Sequence, residues 1–169
     1  MTWGLLVTWT VHDAEELFTM VPWSRSRLPK LRSELPWVPE RVWRAVAVEN
    51  TTEAVVSVLA VGTVIAAAAA AGAATDGRSP FFQIVLAGFG LHTIGHVASA
   101  AVSRGYTPGV VTAVLVAAPF SAWAWSRLSA AGLTGPLSGS DLLLAVAAVP
   151  VVIGGARALG RLVAIRSAG

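Results

Sequence analysis

The sequence predicts an all-α integral membrane protein, a single domain over residues 1–169. It is expected to form a bundle of five transmembrane helices, with the N-terminus outside and the C-terminus cytoplasmic. Three observations predict this. Of the 169 residues, 55% are hydrophobic and only 12% charged, with a mean hydropathy of +0.69, whereas soluble domains carry roughly 25% charged residues. The apolar residues come in long blocks, near the roughly 20 residues that a helix needs to cross a bilayer. The basic residues collect at the ends of these blocks, on one side more than the other.

The first span is expected over about residues 2–21, ended by Pro22, and the second over 41–74, between Pro39 of WVPERVW and the turn TDGRSP. The third covers 81–103. The fourth covers 108–130, with Pro108 suited to a first helical turn. The fifth covers 141–165, with Ser138 or Ser140 as its N-cap. Pro119 and Pro150 are expected to kink the last two. The run Ala66–Ala71 reads as a smooth helix surface suited to close packing.

With five spans, one side holds Arg25, Arg27, Lys30, Arg32, Arg41, Arg44, Arg104, Arg157, Arg161 and Arg166, and the other holds Arg78 and Arg127. That asymmetry places the first group in the cytoplasm. Trp23, Trp37 and Trp43 then fall at one interface, and Trp3, Trp123 and Trp125 at the other. The N-terminus lacks a basic segment and carries acids in its apolar run, so it reads as mature protein rather than a signal peptide. The chain has no cysteine, which excludes disulfides and thiolate chemistry. Its net charge of +3 sits at helix ends, which excludes nucleic-acid binding in favour of the bilayer. The expected location is the plasma membrane, multi-pass, and the sequence leaves room for a homo-oligomer.

Three spans carry ionisable groups in mid-run. In HDAEE, His12, Glu15 and Glu16 lie at i, i+3 and i+4 and are expected on one face, with Asp13 about 100° away. In ENTTE, Glu49 and Glu53 lie at i, i+4, with Asn50 beside them. In HTIGH, His92 and His96 lie at i, i+4, on a face shared with Gly88, Gly95 and Ser99 and therefore expected to be packed. At 1.5 Å per residue these groups lie roughly 9–18 Å from the cytoplasmic ends of their helices, in one layer. No Lys or Arg is expected at that depth.

A carboxylate at mid-bilayer costs about 2.5–3.5 kcal/mol even on the lower scales. The acids must therefore be protonated, hydrated in a wet cavity, or balanced by metal cations. Imidazoles and carboxylates at these helical spacings are how bundle-core metal sites are built. The inventory resembles a di-iron carboxylate site, with Glu-x-x-His only reversed as His12-x-x-Glu15. Three His plus one Glu base suits a single zinc equally.

HDAEE near the N-terminus, the acidic EN early in the second apolar segment, HxxxH in the third and YTPG just after it together resemble the HXXEE-domain family of small bacterial multi-pass membrane proteins. The similarity runs from His12 to about Pro119. It implies a topology and candidate positions but no reaction: His12, Glu15 and Glu16, with Glu49, His92, His96 and the turn of Tyr106, Thr107, Pro108 and Gly109 as companions.

The expected function is that of a metal-dependent membrane enzyme acting on a lipid or hydrophobic small molecule, by metal-activated water hydrolysis or di-iron-type oxidation. One or two divalent ions, zinc or iron, would be bound by His12, Glu15, Glu16, Glu49, His92 and His96. Glu16 and Glu53 are the candidate catalytic carboxylates, and Asp13, Asn50 and Tyr106 the candidate outer partners or substrate contacts. The alternatives are a proton- or ion-coupled transport or channel subunit using the same relay, and a structural accessory subunit.

Overall fold

The computed structural model describes residues 1–134 and 139–167, and every regular element among them is helical. The helices are α1 (Thr2–Ser26), α2 (Leu28–Glu34), α3 (Glu40–Val46), α4 (Thr51–Ala74), α5 (Pro80–Ser103), α6 (Val110–Ala130) and α7 (Gly139–Ser167). Among the described residues α4, α5 and α6 are long and apolar enough to cross a membrane. α1 and α7, of 25 and 29 residues, pack against α4, and α7 also lies on α5.

Local chemistry sets the boundaries. Ser79 accepts from Phe82 N–H and Pro80 occupies the first turn, so α5 starts there. Arg104, at φ 49°, closes it in a left-handed cap. Pro108 and Gly109 then fill the centre of a turn closed by Val110 N–H donating to Thr107 O. Gly109, at φ 80°, supplies the positive φ that a type II turn requires at this position. The fourth helix therefore begins at Val110 and not at Pro108, because Pro108 belongs to the turn.

Three further expectations are corrected. Pro22 does not end α1, which runs on to Ser26 with Pro22 inside it and its ring exposed. The expected second span 41–74 is two helices, because Asn50 accepts from Glu53 N–H and starts α4 afresh. Glu53 in turn accepts from Glu49 N–H, so ENTTE is a helix start rather than two acids on one helical face. Between the first two expected spans, Leu28–Glu34 forms a helix whose Leu28 and Leu31 pack with Trp43. Ser138 and the side chain of Ser140 lie outside the described residues.

The main core lies beyond the polar layer, where Leu5, Ala68, Phe82, Leu86 and Leu128 are almost wholly buried. α6 carries one π turn, Ala113–Ala117, directly ahead of Ala118 and Pro119. Removing the α4 cap with Asn50→Ala is expected to cost about 1 kcal/mol, whereas Asn50→Ser retains most of it. Thermal unfolding in detergent checks this.

Candidate metal centre

α1 and α5 each present two side chains at i, i+4 toward one point: His12 and Glu16 from α1, His92 and His96 from α5. One donor atom from each of the four lies within 4.8 Å of all the others. The imidazole centroids are 4.4, 4.8 and 5.5 Å apart and each pair of rings is nearly perpendicular. His96 Nε2 is 3.3 Å from Glu16 Oε1 and 2.8 Å from His92 Nε2. His12 is fully buried, with its ring edge to Phe89.

Hydrogen bonding fixes which ring nitrogens carry lone pairs. Thr112 Oγ1 lies 2.6 Å from Glu15 Oε2, and a carboxylate only accepts, so the hydroxyl proton goes there. The hydroxyl oxygen then accepts from His12 Nδ1–H at 3.0 Å, which leaves the lone pair on His12 Nε2. That Nε2 is buried and has no hydrogen-bond partner among the described residues. His96 Nδ1 faces the Pro108 carbonyl at 2.9 Å and must donate, so its Nε2 lone pair also faces the group. His92 Nε2 either donates to that lone pair or, with its proton on Nδ1, adds a third. Donors about 2.0–2.1 Å from a tetrahedral ion sit roughly 3.3 Å from one another; two donor pairs here stand at 2.8 and 3.3 Å, and all four donors lie within 4.8 Å.

Glu15 does not share this face. Its carboxylate accepts from Tyr106 Oη–H at 2.7 Å, from Thr112 N–H at 2.7 Å and from Val111 N–H at 3.4 Å. It therefore caps the start of α6, a position that favours an anion. The two glutamates of HDAEE thus differ: Glu16 joins the histidines, while Glu15 orients His12 through Thr112. Tyr106 is half exposed, and its carbonyl accepts from Trp23 Nε1–H. Gly109 closes over the group, since a Cβ there would lie 2.7 Å from His96 and 3.0 Å from Glu16.

Glu49 and Glu53 also lie apart from the four. Glu49 is exposed, and its carbonyl accepts from Arg25. Glu53 is buried and paired with Arg161 at 3.0 Å and Arg157 at 3.5 Å. The expectation that no cation lies at this depth is overturned. α7 runs to Ser167, so Arg157 sits roughly 15 Å inside it rather than at its end. Asn50 serves the α4 cap. Asp13 is buried on a cavity wall beside Glu16. Sequence reasoning missed Thr112, Arg157 and Arg161. The i, i+4 spacing of the two arginines was the available signal, and Thr112 had none.

A family model described as a protein of unknown function with HXXEE motif matches residues 3–124. No curated protein and no solved structure matches the chain.

Gly109→Ala is expected to destabilise the protein by more than about 1 kcal/mol, since φ is positive and the added methyl meets His96 and Glu16. Gly95→Ala, with nothing within 4 Å of its added Cβ, is expected to be neutral or stabilising. Paired melting curves check the contrast.

Proposed function

We propose that this chain, which belongs to the family defined by the HXXEE motif, binds one divalent metal ion at His12, Glu16, His92 and His96 and acts as a metal-dependent enzyme on a lipid or hydrophobic small molecule. It would do so in the plasma membrane as a five-span protein, N-terminus outside and C-terminus cytoplasmic. α1 and α7 supply the two further spans, and the arginines at the ends of α1, α3, α5 and α7 favour that orientation.

The observation that carries the proposal is the convergence of three imidazoles and one carboxylate, with His12 Nε2 buried and, among the described residues, unpartnered. A buried ring nitrogen without a partner is costly, and a cation satisfies it. One ion is favoured over two because Glu15 and Glu53 are engaged elsewhere and Glu49 is exposed, which leaves Glu16 as the one carboxylate among the converging donors. That favours hydrolysis over di-iron oxidation. When bound, such an ion supplies Lewis-acid chemistry and lowers the pKa of water to about 7. Thr112 and the Pro108 carbonyl hold the His12 and His96 rings. The chain from Tyr106 through Glu15 and Thr112 to His12 favours a second reading, a proton path.

Elemental analysis of detergent-purified protein reconstituted with zinc or iron is expected to give about one ion per chain. His92→Ala and Glu16→Ala should lose it, and Glu49→Gln should keep it. Metal-free wild type that still carries proton flux in liposomes would overturn the enzyme reading in favour of the path. Thr112→Val is expected to weaken metal affinity about 10–100-fold, with Thr112→Ser near wild type, in a chelator competition. Equal affinities in all three would remove Thr112 from the site.

A further inference from the structure

Two cavities meet at the candidate centre and share Glu16, Met20, His92 and Arg157. The first, about 220 Å³, lies between α1, α4, α5 and α7. Its long walls are mostly aliphatic, among them Val58, Val61, Ile65 and Val85; Asp13 interrupts them one turn from Trp9, and Glu16, His92 and Arg157 lie toward one end. The other end stops at Trp9. That ring lies against Gly62, where a Cβ would come within 2.6 Å of it, and behind it Leu5, Ala68 and Phe82 are packed with no exposure. From Glu16 to Trp9 the chamber runs roughly 10 Å along α1. The second cavity, about 470 Å³, continues from the shared residues between α1, α5 and the α2–α3 segment.

A half-open aliphatic chamber with polar groups toward one end fits a hydrocarbon chain that ends in a polar group. Arg157 is the one cation among the residues shared by both cavities. It is partly engaged by Glu53 and by the Ala47 carbonyl. That suits a monoanion or a neutral carbonyl, and a diphosphate would need more cations. We infer that the chamber takes a medium-chain acyl group, its carboxyl or ester carbonyl lying at Glu16, His92 and Arg157 and its chain reaching toward Trp9. The alcohol portion of an ester would then lie in the second cavity. This names the substrate class for the enzyme reading and rests on it for the reacting end. Hydrolysis would break the acyl C–O bond, add the hydroxyl of water to the carbonyl carbon and give a proton to the departing alcohol oxygen.

The test uses the full chain in nanodiscs, photolysed with a fatty acid carrying a diazirine near its methyl end and, separately, with the matching monoacylglycerol. Metal content is measured on the same samples. Mass-spectrometric mapping is expected to place the label around Trp9 and Ile65, competed by unlabelled ligand. The arm that competes better identifies the source as free acid or ester. Val61→Trp and Val85→Trp should each cut chamber labelling about tenfold with metal content unchanged. Trp9→Ala should favour a longer probe. Label confined to outward residues such as Leu59 and Ile94, or unaffected by all three variants, overturns the chamber even where metal is bound. Chamber label without metal leaves this inference standing and sinks the metal reading.

Discussion

The Glu15 carboxylate joins α1 to the first turn of α6, and the geometry of the candidate centre depends on that junction. A carboxylate receiving backbone N–H groups at a helix start is bound by charge-assisted hydrogen bonds and by the helix dipole. Because Glu15 also takes the Thr112 proton, it determines which nitrogen of His12 faces the group. Because it takes the Tyr106 proton as well, it anchors the turn whose Pro108 carbonyl orients His96. One side chain thereby sets two of the three imidazoles without touching either.

Glu53 plays a matching part between α4 and α7. Alone, a buried carboxylate would be strongly destabilising, and the two arginines that meet it come from α7. The same arginines donate to the carbonyls of Arg44 and Ala47, which the break after α3 leaves without helical partners. The break is thus satisfied from both sides, by Asn50 for the amides of α4 and by α7 for the carbonyls of α3. Close contact secures the pairing. Ser57 donates to the Glu53 carbonyl at 2.6 Å, and Gly160 admits no side chain against either residue.

The sequence made the helical class and the four converging residues legible because both follow from local spacing. Apolar blocks mark helices, and i, i+4 pairs in His12/Glu16 and His92/His96 share faces whatever the helices pack against. ENTTE misled because the same i, i+4 spacing also describes a cap. An Asn followed three residues later by Glu is the signature of a helix start, and it outweighed the apolar continuity of residues 41–74. Glu15 misled because i+3 and i+4 are neighbours yet about 100° apart, enough for one to leave the group. Thr112 was illegible, since its role is defined by a contact across about a hundred residues of sequence, and for Arg157 the i, i+4 spacing from Arg161 did not reveal the partner, Glu53, on a distant helix.

The π turn at Ala113–Ala117 has a consequence for how this chain tolerates changes in length. A turn closed by i→i+5 bonds holds one residue more than an α turn. The two halves of α6 keep separate duties on either side of it. Thr112 serves the histidines, and Ala124 and Leu128 serve the core. The surplus residue is a slack link between them. A deletion inside those five positions regularises the helix and leaves both halves facing as they do. The same deletion anywhere else in α6 turns everything beyond it by about 100°. Within α6, a one-residue deletion that keeps both ends in phase therefore falls at the exposed Val114 or Leu115, because Ala113 and Ala117 are fully buried.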